Sequence, residues 1–379
     1  MTFRTPAGDL YQQYLTLKPE MDAVIADVIG ESAFIRGPWV ERFEEEFARA
    51  VGAKHCVSCA NGTDALYIAM KALGVGPGDE VITAAHSWIA TSETITQAGA
   101  QVVFCDTDRD TFTIDAAGIE ALITPRTVGI IPVHMAGQPA DMDAIAAIAL
   151  RRGLWIIEDC AQAHLATYKG RPVGSFGAAA TYSFYPGKNL GAMGDAGAIT
   201  TDDEALARQM AMFARHGGLK KGDHQIEGIN SRLDGLQAAI LSVKLPHLRG
   251  WTQARQAKAA LYDEVFRGLN SVTPPRAAEG REHVYHLYMI RHEHRGALAA
   301  SLAKAGVQTV INYPVSLPFL PAYAHLGARP EDFPNAFDNQ SRILSLPFYP
   351  EMTAGQQSLV VQGVRDFEEE PRSGGDAAP

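Results

Sequence analysis

The sequence predicts an α/β fold, with a largely parallel sheet between layers of helix and a smaller α+β region after it. Three observations predict it. Apolar runs and amphipathic stretches alternate from Val57 to Phe213, and such alternation demands crossover connections, which give parallel strands covered by helices. The long polar, glycine-bearing stretch "GLKKGDHQIEGINSRLDG" then breaks the rhythm. Beyond it, an alternating run and several helical patterns form a set of their own.

Taken in order, "HCVSCA" reads as a strand and "TDALYIAMKAL" has helical spacing. "EVITAA" follows the turn "GPGD", and "SWIATSETITQAG" is helical up to a stop at Gly99. "QVVFCD" is a short buried run, and "IDAAGIEALI", "VGIIPVH", "DMDAIAAIALRRG" and "LWIIED" continue the alternation to the helix "DEALARQMAMFARHGG". After the loop, the helix "LQAAILSVKLPHL" leads into the second region. There the pattern gives a strand "HVYHLYMIRH", a helix "RGALAASLAKAG", a strand "VQTVIN" and a last helix around "TAGQQSLVVQGV". The expected division is 1–245 for the large domain, N-terminal segment included, and 246–369 for the small one. A patternless polar tail, expected to be disordered, fills 370–379.

A chain of 379 residues buries a large core, and its composition is that of a globular enzyme. The net charge of −10, spread along the chain, repels a phosphate backbone, so nucleic acid is not expected as a partner. No charged-then-apolar leader stands at "MTFRTPAGDLYQQY", and no apolar run approaches the roughly 20 residues that cross a bilayer. The expectation is a soluble cytoplasmic protein without a membrane partner. Of the four cysteines, only Cys56 and Cys59 are closely spaced. On a strand, residues three apart point to opposite faces and cannot share an ion, so no metal site is expected.

In open α/β sheets ligands gather beyond the carboxyl ends of the strands. "NGTDAL" follows the first strand and opens a helix. Gly62 allows close approach of the backbone, Thr63 offers a hydroxyl, and the free N–H groups of a first helical turn favour an anion. Taken alone, the same residues make a plain helix cap. Asp159 ends the most apolar strand, where a carboxylate is costly unless paired; one partner that suits it is a protonated heterocyclic nitrogen, and another reading is a cap on the next segment. Lys188 in "YPGKN" lacks the glycine and the following Ser or Thr of a nucleotide clamp, and "GAMGDAG" follows it instead of joining a first strand to its helix. What remains is a surface lysine, or an amine on a glycine-flexed loop able to form an imine with an aldehyde cofactor.

Together, "NGTDAL", "EDCAQAHLATYKGRPVGSFG", "SFYPGKNLGAMGDAGAITT" and "GINSRLDGLQAAIL" resemble the DegT/DnrJ/EryC1/StrS family of pyridoxal-phosphate-dependent sugar aminotransferases, with matching order and spacing from about Gly37 to Pro350. The resemblance implies the aspartate aminotransferase-like fold, fold type I, and a homodimer whose active sites lie at the subunit boundary. It implies pyridoxal 5'-phosphate as cofactor, Lys188 as the residue that condenses with it and then moves the substrate proton, and Asp159 as the partner of its pyridine nitrogen. By the same resemblance, Gln162 is expected against the ring face or its phenolic oxygen, Gly62, Thr63 and Ser183 in the phosphate cup, Asn230 at the phosphate of the neighbouring subunit, and Trp88 stacked over the ring.

His164 also matches a family position, near the substrate, although taken alone it is equally a structural histidine. Many members read His-Tyr-Pro, with a second histidine shortly after, where this chain has "INYPVSLP". Asn312, beside Tyr313, and Pro318 thus replace imidazoles on the substrate side. The implied reaction carries an amino group from L-glutamate or glutamine to a nucleotide-linked keto-sugar, leaning toward 3-keto over 4-keto by the likeness of "NGTDAL" and "GQPADMDAI". The alternatives are an aminocyclitol transaminase acting on a keto-inositol, and a sugar dehydratase of the same fold. In such dehydratases histidine replaces the lysine, and Lys188 argues against that class.

Overall fold

The computed structural model describes residues 3–369, so the tail at 370–379 lies outside the described residues. Two helices come first. α1 (Leu10–Gly30) starts at Asp9, whose carboxylate accepts from the Gln12 N–H at 3.0 Å, and buries Leu17, Met21, Val24 and Val28 along one stripe. Pro19 lies inside this helix, against the usual rule for proline. α2 (Pro38–Val51) opens on proline and closes on Gly52 at φ 76°.

The alternating part then runs β1 (His55–Cys59), α3 (Gly62–Ala72), β2 (Glu80–Ala84), α4 (Ala90–Gln97), β3 (Gln101–Cys105), α5 (Ala116–Ile119), β4 (Thr127–Ile131), α6 (Met142–Arg152) and β5 (Trp155–Asp159). A short excursion, β6 (Thr167–Tyr168) and β7 (Arg171–Pro172), precedes β8 (Ala179–Ser183), β9 (Gly197–Thr201), α7 (Glu204–Phe213) and α8 (Gly235–Lys244). The main sheet has the order β1-β9-β8-β5-β4-β2-β3. Strands β8, β5, β4, β2 and β3 are parallel, and β9 alone runs against both its neighbours. All residues of β2 and β9 are buried, as a sheet covered on both faces requires. Ile68, Met70, Ile95 and Met210 from α3, α4 and α7 form the core on one face, and Met142, Ile145 and Ile148 of α6 belong to a core on the sheet's other side. This is the expected α/β architecture.

The remainder holds α9 (Leu248–Phe266), β10 (Val272–Thr273), β11 (Arg281–Glu282), β12 (Tyr288–His292), α10 (Arg295–Lys304), α11 (Pro334–Arg342), β13 (Ile343–Leu346) and α12 (Ala354–Glu369). β10, β12 and β13 form an antiparallel sheet over a core that includes Tyr262, Phe266, Leu302 and Val364. Two expected strands differ. Only the second half of "HVYHLYMIRH" is strand, and it is buried on both faces instead of alternating. The first half turns at Tyr285, φ 45°, and Val284 donates its N–H to the Gly137 carbonyl at 3.0 Å while its side chain joins the core beside Tyr182. That segment is apolar because it links two cores. "VQTVIN" makes only isolated pairings, Val307 with Thr5 and Val310 with Ser345, because two different segments share its backbone groups. Among the described residues no helix is long and apolar enough to cross a membrane.

Candidate active site

Beyond the carboxyl ends of the parallel strands lies a cavity of about 440 Å³. Gly62, Thr63, Trp88, Asp159, Gln162, Ser183, Lys188 and Tyr313 all line it. They are delivered by several pieces of local structure.

The β1–α3 turn supplies Gly62 and Thr63. Asn61 caps α3, its side-chain oxygen accepting from the Asp64 N–H at 2.8 Å. A Cβ on Gly62 would stand 2.7 Å from the Ser183 Cβ, so only glycine lets the helix start lie this close to the end of β8. Ser231 ties the following loop to this turn, accepting from the Ala60 N–H at 3.0 Å and donating to Asp64 at 2.6 Å. The result is a helix N-terminus with free N–H groups and a serine hydroxyl beside it, a cradle for an anion.

Asp159 ends β5 and is 5% exposed. Its carboxylate accepts from the Ala161 N–H at 3.1 Å and the Thr91 hydroxyl at 2.9 Å. Burial pushes its pKa up, while those two donors and the Lys188 charge pull it back. Lys188 sits in the β8–β9 loop, its N–H donating to the Tyr185 carbonyl at 2.8 Å. A Cβ on Gly191 would come within 2.2 Å of the Pro186 carbonyl oxygen, so this glycine makes the tight loop possible. Burial brings the Lys188 amine down to about 8, against the opposing pull of Asp159. An amine so placed serves as nucleophile and base near neutral pH.

Gln162 is held at both ends, its oxygen accepting from the Ala136 N–H at 2.6 Å and its nitrogen donating to the Tyr313 hydroxyl at 3.3 Å. The Trp88 ring lies 5.3 Å from that of Tyr313 and is 57% exposed at the cavity edge. Trp88 precedes α4; it is not part of the helix expected for "SWIATSETITQAG".

Three further candidates do not line this cavity. His164, expected near the substrate, is instead fully buried among Phe47, Tyr182 and Phe184, and neither ring nitrogen has a hydrogen-bond partner of normal geometry. Burial pulls it down to about 3, so it is a neutral core ring behind the cavity wall. Asn312 accepts from the Ser345 hydroxyl at 2.8 Å and lines an adjoining cavity, also bordered by Lys188 and Tyr313. Asn230 is exposed, pairs with Arg215 and does not line the cavity of its own chain.

Sequence reasoning missed Thr91 and His86. Ser316 donates to the Ala336 carbonyl at 2.8 Å, so its oxygen is left to accept from the His86 Nδ1–H at 3.0 Å. Nε2 is then the acceptor for the Tyr313 N–H at 3.1 Å. Burial pulls this histidine down to about 4, which keeps it neutral in that tautomer. His86 therefore holds the backbone of a cavity residue from across the fold. Its only sequence signal is a polar residue directly after a buried strand.

The family model for DegT/DnrJ/EryC1/StrS aminotransferases matches residues 16–365. The chain is 48% identical over 364 residues to a pleiotropic regulatory protein of Geobacillus stearothermophilus, covering 96% of this chain and 98% of that one. It is 41% identical over 368 residues to a dTDP-3-amino-3,4,6-trideoxy-alpha-D-glucose transaminase of Streptomyces venezuelae, 97% of each chain. The structure matches that of S. venezuelae DesV in complex with a ketimine intermediate at a TM-score of 0.96 and 41% identity, over 98% of this chain and 100% of the other. Solved neighbours include forms with PLP and with PMP. The residues present fit that cofactor: a helix start that glycine at position 62 lets lie against Ser183, a buried carboxylate for a ring nitrogen, and an amine of lowered pKa for an aldehyde. The chain therefore belongs to the DegT/DnrJ/EryC1/StrS aminotransferase family, and it is a transaminase that works with pyridoxal 5'-phosphate.

Proposed function

We propose that the protein moves an amino group from L-glutamate or glutamine to a keto-sugar carried on a nucleotide, at a 3-keto carbon in preference to a 4-keto one, for amino-sugar or surface-polysaccharide synthesis in the cytoplasm. The observation that carries this is the convergence of Lys188, Asp159 and the first turn of α3 on one cavity. When bound, pyridoxal 5'-phosphate supplies an aldehyde and a ring that accepts electrons. Gly62, Thr63 and Ser183 would hold its phosphate, Gln162 and Trp88 would orient its ring, and Asp159 would keep a proton on the pyridine nitrogen. Lys188 would take the proton from the substrate carbon and return it. The presence of both Lys188 and Asp159 supports catalysis over a purely regulatory role. The 3-position is favoured by the name of the Streptomyces relative, a 3-amino-sugar transaminase. The test is incubation with glutamate or glutamine and a panel of 3-keto and 4-keto dTDP-, UDP- and GDP-sugars, read by mass spectrometry. Amination of a keto-inositol alone would replace this reading with the aminocyclitol one.

Because Lys188 must be neutral to attack an aldehyde, cofactor capture by the apoprotein should quicken as pH rises through about 8. Below that value the neutral fraction changes by about tenfold per pH unit. Visible absorption after rapid mixing measures this, and a rate flat from acid to alkaline pH would contradict the assignment.

Gly62→Ala is expected to weaken cofactor binding by about tenfold or more, since the new Cβ must displace Ser183 and overpacking of this kind costs about 1–3 kcal/mol. Equilibrium dialysis with the cofactor checks it.

We further propose a homodimer in which Asn230 completes the partner's phosphate cup. In support, exposed Phe34, Ile35 and Met193 gather round the start of α8, where Gly235 donates to the Phe34 carbonyl and Gln237 bonds the Met193 backbone. An inactive Lys188→Ala chain mixed with an inactive Asn230→Asp chain should then recover partial activity, because one site of each heterodimer receives both intact parts. Absence of recovery in verified heterodimers of folded chains would mean that each site is built from one chain.

A further inference from the structure

Lys188 borders two cavities. The second, of about 580 Å³, lies between the N-terminal residues Ala7–Leu10, the Lys188 loop and the segment Ser345–Glu351. Half-buried His286, on the stretch that links the two cores, also lines it. The backbone there is pinned on both sides: Leu287 donates its N–H to the Ala136 carbonyl at 3.3 Å, and the buried Arg255 of α9 donates from Nη1 to the His286 carbonyl at 3.4 Å. The ring is fixed too. Asn189, buried beside Lys188 in sequence, spends its amide nitrogen on the Val284 carbonyl at 3.2 Å, so its oxygen is left to accept from the His286 Nδ1–H at 3.2 Å. Nε2 is then the unprotonated nitrogen. Among the described residues nothing donates to it, and unlike the ring nitrogens of His164 it is not sealed off by its neighbours. Burial, with the Lys188 and Arg255 charges, holds His286 well below the ordinary histidine value, so the ring is neutral and Nε2 offers a lone pair.

We propose that His286 Nε2 accepts a hydrogen bond from a hydroxyl that flanks the keto carbon of the sugar, and so selects hydroxylated over deoxygenated substrates. The inference rests on the proposed keto-sugar substrate. A lone pair does not serve a carboxylate or a diphosphate, which bring acceptors of their own, and Asp9 and Glu351 on the same cavity wall disfavour both anions. A hydroxyl brings the donor that the site lacks. Lys188 acts at the reacting carbon, and the imidazole is tied to the next residue of its loop, so the hydroxyl that meets Nε2 is one on a neighbouring carbon.

The test compares dTDP-linked 3-keto-6-deoxyglucose with its two analogues that lack the 2- or the 4-hydroxyl. With the wild-type holoenzyme and glutamate, one analogue should fall at least about tenfold below the parent in kcat/KM, because it leaves a placed acceptor without its donor. In His286→Leu holoenzyme, shown to be folded by circular dichroism, the parent should drop to the level of that analogue while the analogue itself changes little, and the loss should lie in the sugar half-reaction. His286→Gln, which keeps an acceptor, should restore part of the preference. Equal losses on all three sugars in the folded leucine variant would overturn the proposal and leave His286 as a brace for Asn189. A loss confined to the glutamate half-reaction, read as the change in visible spectrum, would overturn it as well and assign Nε2 to the ammonium of the amino donor. Should His286→Leu not fold, crystals of the wild-type holoenzyme with the parent's 3-amino product decide, a sugar hydroxyl on Nε2 supporting the assignment and none there overturning it. The substrate reading fails separately, if the wild-type holoenzyme aminates none of the three sugars, and the assignment falls with it; amination of all three alike overturns the assignment alone.

Discussion

Lys188→Ala and Lys188→Arg are each expected to lose at least about 10⁴-fold in turnover while keeping the fold, because in the proposed mechanism one amine both joins the cofactor aldehyde and moves the substrate proton. Arginine fills the space and retains the charge, but it does not give up a proton in this pH range. The structure adds a stability signature. The amine titrates near 8 in the folded chain, below its ordinary 10.5, so folding disfavours its charged form. That penalty is fully present at pH below about 8 and vanishes once pH exceeds the unfolded value. The Lys188→Ala apoprotein should therefore melt at or above the wild-type temperature at neutral pH, with the gap closing as pH rises toward 10. Near wild-type amination of a keto-sugar by either variant would overturn the assignment.

Asp159→Asn should still bind cofactor but lose about 10²- to 10³-fold in rate, the scale on which single preorganised electrostatic contacts act. The amide is nearly isosteric and keeps the Thr91 hydroxyl and Ala161 N–H within reach, so the fold is retained. What it loses is the negative charge that holds a proton on a ring nitrogen. Single-turnover measurements with glutamate check this, and wild-type kinetics would falsify the pairing. Thr91→Val gives a milder version of the same experiment, removing one donor and leaving the carboxylate.

The α/β alternation, the carboxylate of Asp159 and the glycine opening α3 were legible because each obeys a local rule: period, strand-end position or glycine at a helix start; Lys188 obeys none, and only the family resemblance set it apart from a surface lysine. Thr91 and His86 obey no such rule. Thr91 reaches Asp159 only because α4 lies beside the end of β5, and His86 reaches Tyr313 across more than half the chain. For His164 the sequence left a substrate-side and a structural reading open, and the structure favours the second, since three aromatic rings that "AQAH" does not foretell close around it. The first half of "HVYHLYMIRH" read as strand because apolar residues look alike whether they line one core or bridge two. Arg255 sits in a helix with ordinary polar spacing, and only its depth in the fold marks it out.

The Ser231 tie has a consequence for how a shared pair of sites communicates. Ser231 is fully buried and grips the start of α3 through Ala60 and Asp64, while its immediate neighbour Asn230 faces outward. In a dimer that exchanges Asn230 as proposed, one peptide unit separates the residue serving the partner's site from the residue bracing the chain's own. A displacement of the phosphate cup on one protomer would travel along that single link to the other, so cofactor loading at the two sites would be cooperative.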